Sequence, residues 1–235
     1  MRAALEEKRQ RIVAVAMRHF AERGYAAARV ADMARELRIA KGSIFQHFGS
    51  KERLFLEAYR LAVTRLPAWD DAPDEVRERG VFATVEYWLE RAEHLVREDW
   101  IPYRMTLLGN YGADLSLRRE INRHLVEQDP YGTARLVRRG VESGELRQDV
   151  DPELLVSVLD WTMDRFQDAL LTEELDSGLF HRPGGGLRRQ ERIRQFLEVL
   201  RSALGAPASA RRGGGKPRRP PRPKNAFGRR ARPGE

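Results

Sequence analysis

The segment that decides the fold spans residues 12–59 and reads IVAVAMRHFAERGYAAARVADMARELRIAKGSIFQHFGSKERLFLEAY. Its apolar residues recur at helical spacing, and Gly24 and the short turn Arg38-Ile39-Ala40 divide the pattern. The predicted helices lie at roughly 4–23, 29–37, 41–47 and 51–66. Three short helices, the last two joined by a tight turn, are the layout of a helix-turn-helix unit.

The rest of the chain predicts a larger helical body followed by a tail. Helical patterns lie near residues 73–98, 102–110, 116–142, 152–175 and 188–204. Pro130 should kink or split the third of these patterns. Asp151-Pro152 resembles an N-cap followed by proline at the first helical position. Few segments alternate as strands do, so the predicted fold class is all-α.

Composition divides the chain into three expected parts. They are a helix-turn-helix domain at 1–50, a body of about six helices at 51–204, and a tail at 205–235. The tail is rich in Arg, Pro and Gly, and it has too little apolar surface to form a core. We therefore expect the tail to be disordered.

Charge is distributed unevenly over these parts. Residues 1–50 carry 10 basic and 5 acidic side chains, residues 51–204 carry 23 and 29, and residues 205–235 carry 10 and 1. The net charges are therefore +5, −6 and +9. Two basic ends suit a polyanion such as DNA, and the acidic middle should face away from phosphate.

Several classes of protein are not expected. The sequence has no apolar run of about 18 residues, and its N-terminus lacks the apolar core of a signal peptide. It has no cysteine, its five histidines form no metal-binding spacing, and it lacks the nucleotide-binding and nucleophile-elbow motifs. We expect a cytoplasmic protein that uses no cofactor, binds no membrane and is not an enzyme.

The stretch from Ile12 to Leu54 resembles the N-terminal domain of the TetR family of bacterial transcriptional repressors. The matching residues are Ala16, Phe20, Gly24, Tyr25, Val30, Asp32, Met33, Ala34, the run Lys41-Gly42-Ser43-Ile44-Phe45-Gln46-His47-Phe48, then Lys51, Glu52 and Leu54. Their spacing fits the family without a gap. The resemblance in motif covers about a fifth of the chain, and the remainder agrees only in length and helix order.

Four positions depart from the family pattern. A small hydroxyl residue usually opens the second helix, where this chain has Ala28 followed by Arg29, and a serine usually opens the third, where it has Ala40. Each lost cap should cost about 1 kcal/mol. The turn usually holds glycine and here holds Arg38, which would be strained at positive φ. Phe45 replaces the usual tyrosine and lacks a hydroxyl for a phosphate.

The third helix should enter the major groove of DNA, where base edges carry a distinct donor and acceptor pattern. Gln46 can make two hydrogen bonds to adenine, and Lys41 can reach guanine or a phosphate. Gly42 lets the backbone approach closely, Phe45 can touch a thymine methyl or a sugar, and Ser43 completes the exposed face. The alternative interpretation is that Gln46 is only a solvated amide and that Phe45 packs inward.

The resemblance adds phosphate contacts at the edge of this surface. It implies that His47 and Lys51 contact phosphates, and Arg29 is a further candidate at the start of the second helix. Such contacts position the protein, whereas base contacts give specificity. His47 as a surface or capping side chain and Arg29 as a solvated charge remain alternatives.

The resemblance also implies that the helical body forms a homodimer and encloses a ligand pocket. The expected ligand-binding residues are Trp88, Tyr103 and Trp161, with polarity from Arg104, Asn110, Asp164 or Arg165. The expected dimerisation residues are Leu155, Leu159, Phe166, Phe196 and Leu200, from apolar stripes on the last two helices. Ordinary core packing is the alternative for both sets.

Together these features predict a dimeric, sequence-specific transcriptional regulator. We expect a repressor that binds a palindromic operator in double-stranded DNA and is released by a small, largely apolar effector. Two alternatives stay open: a nonspecific, nucleoid-type DNA binder driven by the basic ends, and, more remotely, a helical enzyme. Sequence preference at physiological salt separates the first alternative from a repressor.

The basic tail generates the first prediction. Removal of residues 205–235 should weaken nonspecific DNA binding and flatten the dependence of affinity on salt, because fewer counterions are released. Sequence preference should be unchanged. Titrations of a random duplex at several salt concentrations measure the slope, and an unchanged slope would show instead that the tail is idle.

Overall fold

The computed structural model describes residues 2–181 and 189–207. This part of the chain folds into helices, with one isolated β-bridge between Leu146 and Gly205. The α-helices are α1 (Arg2–Ala27), α2 (Val30–Glu36), α3 (Lys41–Phe48), α4 (Lys51–Val63), α5 (Asp74–Glu78), α6 (Val81–Glu98), α7 (Trp100–Leu107), α8 (Leu115–Gln128), α9 (Thr133–Glu142), α10 (Pro152–Leu171) and α11 (Arg189–Leu204). Single turns of other helix types lie at Trp69–Asp71, Leu108–Gly112 and Glu173–Leu175. The all-α prediction is confirmed.

The helix-turn-helix unit forms where the sequence predicted it. Gly24 has a φ of +76° and a ψ of 165°, so it interrupts α1 at the predicted stop. Ser50 caps α4 by accepting a hydrogen bond from the Arg53 backbone N–H at 3.2 Å. The residues that precede α2 and α3, Arg29 and Ala40, provide no side-chain cap, as the departures from the family pattern predicted.

The turn between α2 and α3 is a helix-ending motif that normally uses glycine. The Ile39 N–H donates to the Ala34 carbonyl at 3.0 Å, and the Arg38 N–H donates to the Arg35 carbonyl at 3.1 Å. This pair of bonds requires the residue that follows the helix C-cap to adopt the left-handed conformation. That residue is Arg38, and its φ is +55°. The chain therefore holds a non-glycine residue in a sparsely populated conformation.

Two predicted helices of the body are each divided in two. The pattern at 73–98 breaks at Gly80, whose φ is +104° and whose absent side chain leaves room for the Glu145 carboxylate. Glu145 caps α6 by accepting from the Val81 N–H at 2.6 Å. The pattern at 116–142 divides around Pro130, as predicted. The Asp151 carboxylate caps α10 at the Glu153 N–H at 2.8 Å, also as predicted.

Two apolar clusters hold the described residues together. The first joins α1 to α4 with Met105 of α7 and with Leu117 and Ile121 of α8. The second joins α6, α9, α10 and α11. Because the first cluster includes residues of α7 and α8, the helix-turn-helix unit packs directly on the body.

None of the helices in residues 2–181 and 189–207 has the length and apolarity needed to cross a membrane. Most of the basic tail, from residue 208, lies outside the described residues. Its first residues are attached to the body, since the Ala206 N–H donates to the Glu145 carbonyl at 2.9 Å. A truncated protein that keeps this contact therefore has Pro207 as its last residue.

The left-handed turn generates the second prediction. Arg38→Gly should raise the free energy of unfolding by about 0.5–1 kcal/mol, because glycine adopts positive φ without steric cost. Urea denaturation measures the change. Arg38→Ala is the matched control, since it removes the same charge and keeps the strain. Equal stabilisation by both variants would show that charge, rather than backbone conformation, is responsible.

Candidate nucleic-acid interface and interior cavity

The helix α3 is anchored on one side and free on the other. Ile44 and Phe48 are buried in the first apolar cluster. Lys41, Gly42 and Gln46 are exposed. The short helix therefore presents a polar face to solvent, as a helix that enters a major groove must.

Gly42 has no packing role within the described residues. A Cβ atom built on it would have no neighbour within 4 Å, so the protein's own packing does not require a glycine there. The absent side chain leaves the backbone of α3 open to close approach by a ligand. Its neighbour Ser43 is tied to α1, because its hydroxyl accepts a hydrogen bond from Lys8 Nζ at 3.0 Å. Sequence reasoning missed Lys8, whose proximity to α3 depends on the tertiary fold.

Phe45 and His47 are intermediate between core and surface. Phe45 is half-buried and packs against the first apolar cluster, and Lys41 Nζ lies 5.6 Å from its ring centroid. His47 is half-buried, with its ring centroid 6.2 Å from that of Phe48. Each ring is thus partly packed and partly accessible to solvent.

Lys51 connects the start of α4 to the end of α1. Its ammonium donates to the Ala26 carbonyl at 3.2 Å and lies 4.7 Å from the Tyr25 ring centroid. Partial burial lowers the pKa of Lys51, and the neighbouring Glu52 carboxylate opposes this shift. Arg29 is exposed, and no hydrogen bond or ion pair joins its side chain to another residue of the described ranges.

An interior cavity of about 130 Å³ lies where α4, α6, α7 and α10 meet. Its lining is aromatic and apolar apart from a few polar groups. The lining residues are Tyr59, Leu66, Pro67, Trp69, Trp88, Ala92, Leu95, Val96, Tyr103, Thr106, Asn110, Leu125, Tyr131, Thr133, Asp160, Met163, Asp164, Gln167 and Asp168. A mostly apolar cleft with a few converging polar groups is the form that small-molecule sites take.

Two of the three aromatic residues expected at a pocket lie on this cavity. Trp88 and Tyr103 are lining residues, and the Trp88 indole N–H is buried without a hydrogen-bond partner in the described chain. Trp161 does not line it. Its side chain points away from the protein core and is 67% exposed, which corrects the expectation of a pocket role. The helical pattern of α10 alone did not reveal which side faces the cavity.

Of the four polar residues expected at the pocket, two line the cavity. Asn110 and Asp164 line the cavity, whereas Arg104 is exposed elsewhere. Arg165 reaches the site indirectly, because its guanidinium donates to the Tyr111 hydroxyl at 3.1 Å. Sequence reasoning missed Asp160, although it precedes Asp164 by one helical turn.

Asp168 is the centre of a hydrogen-bonded group at one end of the cavity. It accepts from the Tyr103 hydroxyl at 3.0 Å and from the Tyr111 hydroxyl at 2.7 Å. Burial raises the pKa of Asp168, and the two phenol donors and Arg165 oppose the shift. The same burial raises the pKa of Tyr103, so its hydroxyl remains a donor.

Asp160 and Asp164 have fewer hydrogen-bond donors than Asp168. Burial raises the pKa of Asp160 to about 6, with Thr133 as its opposing hydrogen-bond donor. Burial, together with the charges of Asp160 and Asp168, raises the pKa of Asp164 to about 7. Asp164 lines the cavity and remains exposed to solvent, whereas Asp160 is half-buried.

The residues expected at a dimer interface separate into core and surface. Leu155, Leu159 and Leu200 are 1%, 1% and 2% exposed and pack in the second apolar cluster of their own chain. They therefore offer no free surface to a second copy, and the expectation of an interface role is corrected for these three. Phe166 and Phe196 are half-buried and stack on each other with centroids 3.8 Å apart.

The apolar surface that α10 and α11 leave uncovered lies at other residues. Leu154 and Trp161 on α10 are 49% and 67% exposed, and Val199 on α11 is 65% exposed. Leu154 and Trp161 are seven residues apart and so lie on one face of α10. Sequence periodicity located the two helices, but three of the five residues expected at an interface lie in the core of the same chain.

Comparison with known proteins places these features in a family. A family model described as "Bacterial regulatory proteins, tetR family" matches residues 12–58. The HTH-type transcriptional repressor AcnR of Corynebacterium efficiens is 33% identical over 171 residues, covering 73% of this chain and 86% of the relative.

Solved structures of low identity share the fold. The transcriptional regulator FadR from Bacillus subtilis, in complex with stearoyl-CoA, has a TM-score of 0.57 at 20% identity and covers 82% of this chain and 97% of its own. A transcriptional regulator from Saccharomonospora viridis, in complex with choline, has a TM-score of 0.52 at 24% identity and covers 86% and 100%.

The resemblance noted in the first helices thus extends over most of the chain's length. The chain belongs to the TetR family of bacterial regulatory proteins, and the relatives it matches are helix-turn-helix transcriptional repressors rather than enzymes.

Proposed function

We propose that the protein is a dimeric repressor that binds a palindromic operator through α3 and is released when a small molecule occupies the interior cavity. In this account Gln46 and Lys41 reach base edges, and Gly42 allows the backbone to approach the DNA. Arg29, Ser43, Phe45, His47 and Lys51 surround them as phosphate and sugar contacts. The exposed, unpaired Arg29 and the open space around Gly42 support this arrangement.

The position of Tyr59 carries the proposal of ligand release. Tyr59 lies on α4, is 1% exposed, and belongs to the apolar cluster that holds α1, α2 and α3 together. The same side chain lines the cavity. A molecule that enters the cavity therefore meets a residue whose displacement must move α4 relative to α1 and α3, because close-packed interiors transmit strain.

The opposite face of the Tyr59 ring is packed against backbone. A ligand that displaces the ring is therefore expected to move a helix, because the ring has no room to shift by itself. A Cβ atom built on Gly109 would lie 2.5 Å from the Tyr59 ring, so the backbone at Leu108–Gly112 lies against that ring. Arg118 donates to the Asn110 carbonyl and so links this turn to α8. Motion of Tyr59 thus requires motion of α7 or α4.

A small change in α4 has a large effect on a dimer. Two recognition helices must meet half-sites one helical turn apart, about 34–36 Å, and this spacing tolerates little error. A coupling free energy of about 1–3 kcal/mol between cavity and operator corresponds to a loss of roughly 5- to 150-fold in DNA affinity. Solved proteins of this fold bind molecules as different as stearoyl-CoA and choline, so the fold does not determine the ligand.

The roles of α3 generate the third prediction. Gln46→Ala should reduce discrimination at one base position of each half-site by about 1–3 kcal/mol, because its two hydrogen bonds to a base edge are lost. Fluorescence anisotropy with operator duplexes substituted at each base measures this loss. Lys41→Ala should weaken binding and, if it contacts phosphate, lower the salt slope by about one per site.

Arg35→Ala serves as a matched control, since Arg35 is exposed on α2 and paired with Asp32 at 3.0 Å. It should change neither base discrimination nor overall affinity by as much. A Gln46→Ala variant with an unaltered base preference would contradict the assignment of α3 as the reading helix.

The proposed dimer interface generates the fourth prediction. We infer that the exposed side chains of Leu154, Trp161 and Val199, with Phe166 and Phe196 beside them, are covered by a second copy. Trp161→Glu should therefore shift the protein from dimer to monomer in light scattering, because a charge would be buried without a partner. Leu115→Glu is the control, since Leu115 is 85% exposed on α8. A dimeric Trp161→Glu variant would contradict this interface.

A further inference from the structure

The chemistry of the cavity indicates which ligands it takes, and this inference rests on the proposed effector role. Asp160, Asp164 and Asp168 are spaced four residues apart on α10, and all three line the cavity. Among the lining residues that the structure describes there is no Lys, Arg or His. The site is therefore acidic without an internal counter-charge.

The three carboxyl groups differ in what satisfies them. Asp168 accepts from the hydroxyls of Tyr103 and Tyr111. For Asp160, the nearby Thr133 hydroxyl favours the ionised form. For Asp164, no hydrogen-bond donor is found within residues 2–181 and 189–207, and its exposed carboxylate lines the cavity without a protein partner.

The charged groups that face Asp164 come from two helices. Asp160 and Asp168 on α10 disfavour its ionised form, and Arg118 on α8 favours it. Arg118 is already engaged, since its guanidinium donates to the carbonyls at Gly109 and Asn110. A ligand that fills the cavity would cover the Asp164 carboxylate and remove it from water, and a carboxylate without water needs a bound cation or a proton.

The walls around these carboxylates favour an organic cation. The aromatic residues in the lining are Tyr59, Trp69, Trp88, Tyr103 and Tyr131. Aromatic rings attract cations and also bury apolar carbon. A divalent metal is a poorer fit, because no group of three potential ligands in the described ranges converges as a metal site requires.

We propose that the cavity takes a small organic cation, an amine or quaternary ammonium compound whose charge pairs with Asp164 and whose apolar part lies among the aromatic walls. A neutral apolar ligand would cover Asp164 without pairing it. An anionic ligand would meet three like charges. The ligand class thus follows from the unpaired carboxylate together with the aromatic enclosure.

The proposal predicts that the affinity for a cationic ligand rises with pH. The pKa of Asp164 is raised to about 7 and that of Asp160 to about 6. A cation binds the ionised carboxylates, so its affinity should rise between about pH 5 and pH 8 as these groups lose their protons. A neutral ligand should show the opposite trend or none.

The test uses the full-length protein and three probes of similar shape but different charge: benzylamine, benzyl alcohol and benzoate. Titration calorimetry at pH 8, with intrinsic tryptophan fluorescence as a second readout, should detect benzylamine binding and much weaker binding of the other two. Asp164→Asn should weaken benzylamine binding by at least about tenfold, since it removes the paired charge.

Glu153→Gln is the matched control, because it neutralises an exposed carboxylate on the same helix. It should leave benzylamine affinity unchanged. The Asp164→Asn protein should melt no lower than the wild type at pH 8. The fold raises the pKa of Asp164 above its unfolded value, so ionisation destabilises the wild type as pH rises, and asparagine avoids this loss.

The outcomes separate this proposal from the proposed function. Preference for benzyl alcohol or benzoate, no binding by any probe, or benzylamine binding that ignores Asp164→Asn would each overturn the cation proposal. Benzylamine that binds through Asp164 but leaves operator affinity unchanged would support the ligand class and contradict ligand release. Operator release by a neutral or anionic molecule bound in the cavity would support ligand release and contradict the proposed ligand class.

Discussion

The packing of α4 is the constraint on which the rest of the structure depends. Residues of α4 fill the apolar cluster that positions α3, and Tyr59 extends from the same helix to the wall of the cavity. The cluster continues into α7 and α8 through Met105 and Ile121, so no flexible joint separates the two units in the described chain. The proposed DNA-reading surface and the cavity therefore share one close-packed helix, so a displacement of that helix affects both.

Charge complements this packing. The first 50 residues carry a net charge of +5, and the body carries −6. The acidic groups of the body include Asp160, Asp164 and Asp168, which line the cavity. This distribution is consistent with the two proposals, namely that phosphate meets the helix-turn-helix unit and that the cavity takes a cation.

Local signals in the sequence predicted the helix-turn-helix unit well. Turn residues and caps act over a few positions, so Gly24, Ser50 and Arg38 could be interpreted from their neighbours. The body was harder, because apolar stripes show that a helix is half-buried but not what buries it. Leu159 and Trp161 lie two residues apart, yet one is core and the other is surface. The three aspartates of the cavity wall form a local pattern on α10, but the aromatic residues that line the cavity with them come from helices distant in sequence.

Selection of duplexes from a random library at about 150 mM salt tests the central claim most directly, because nonspecific charge binding is weakened there. The account predicts an enriched inverted repeat whose half-sites lie one helical turn apart, as a dimer that reads DNA through α3 requires. Retention of duplexes without any common motif would contradict it, and would mean that the two basic ends bind DNA by charge alone.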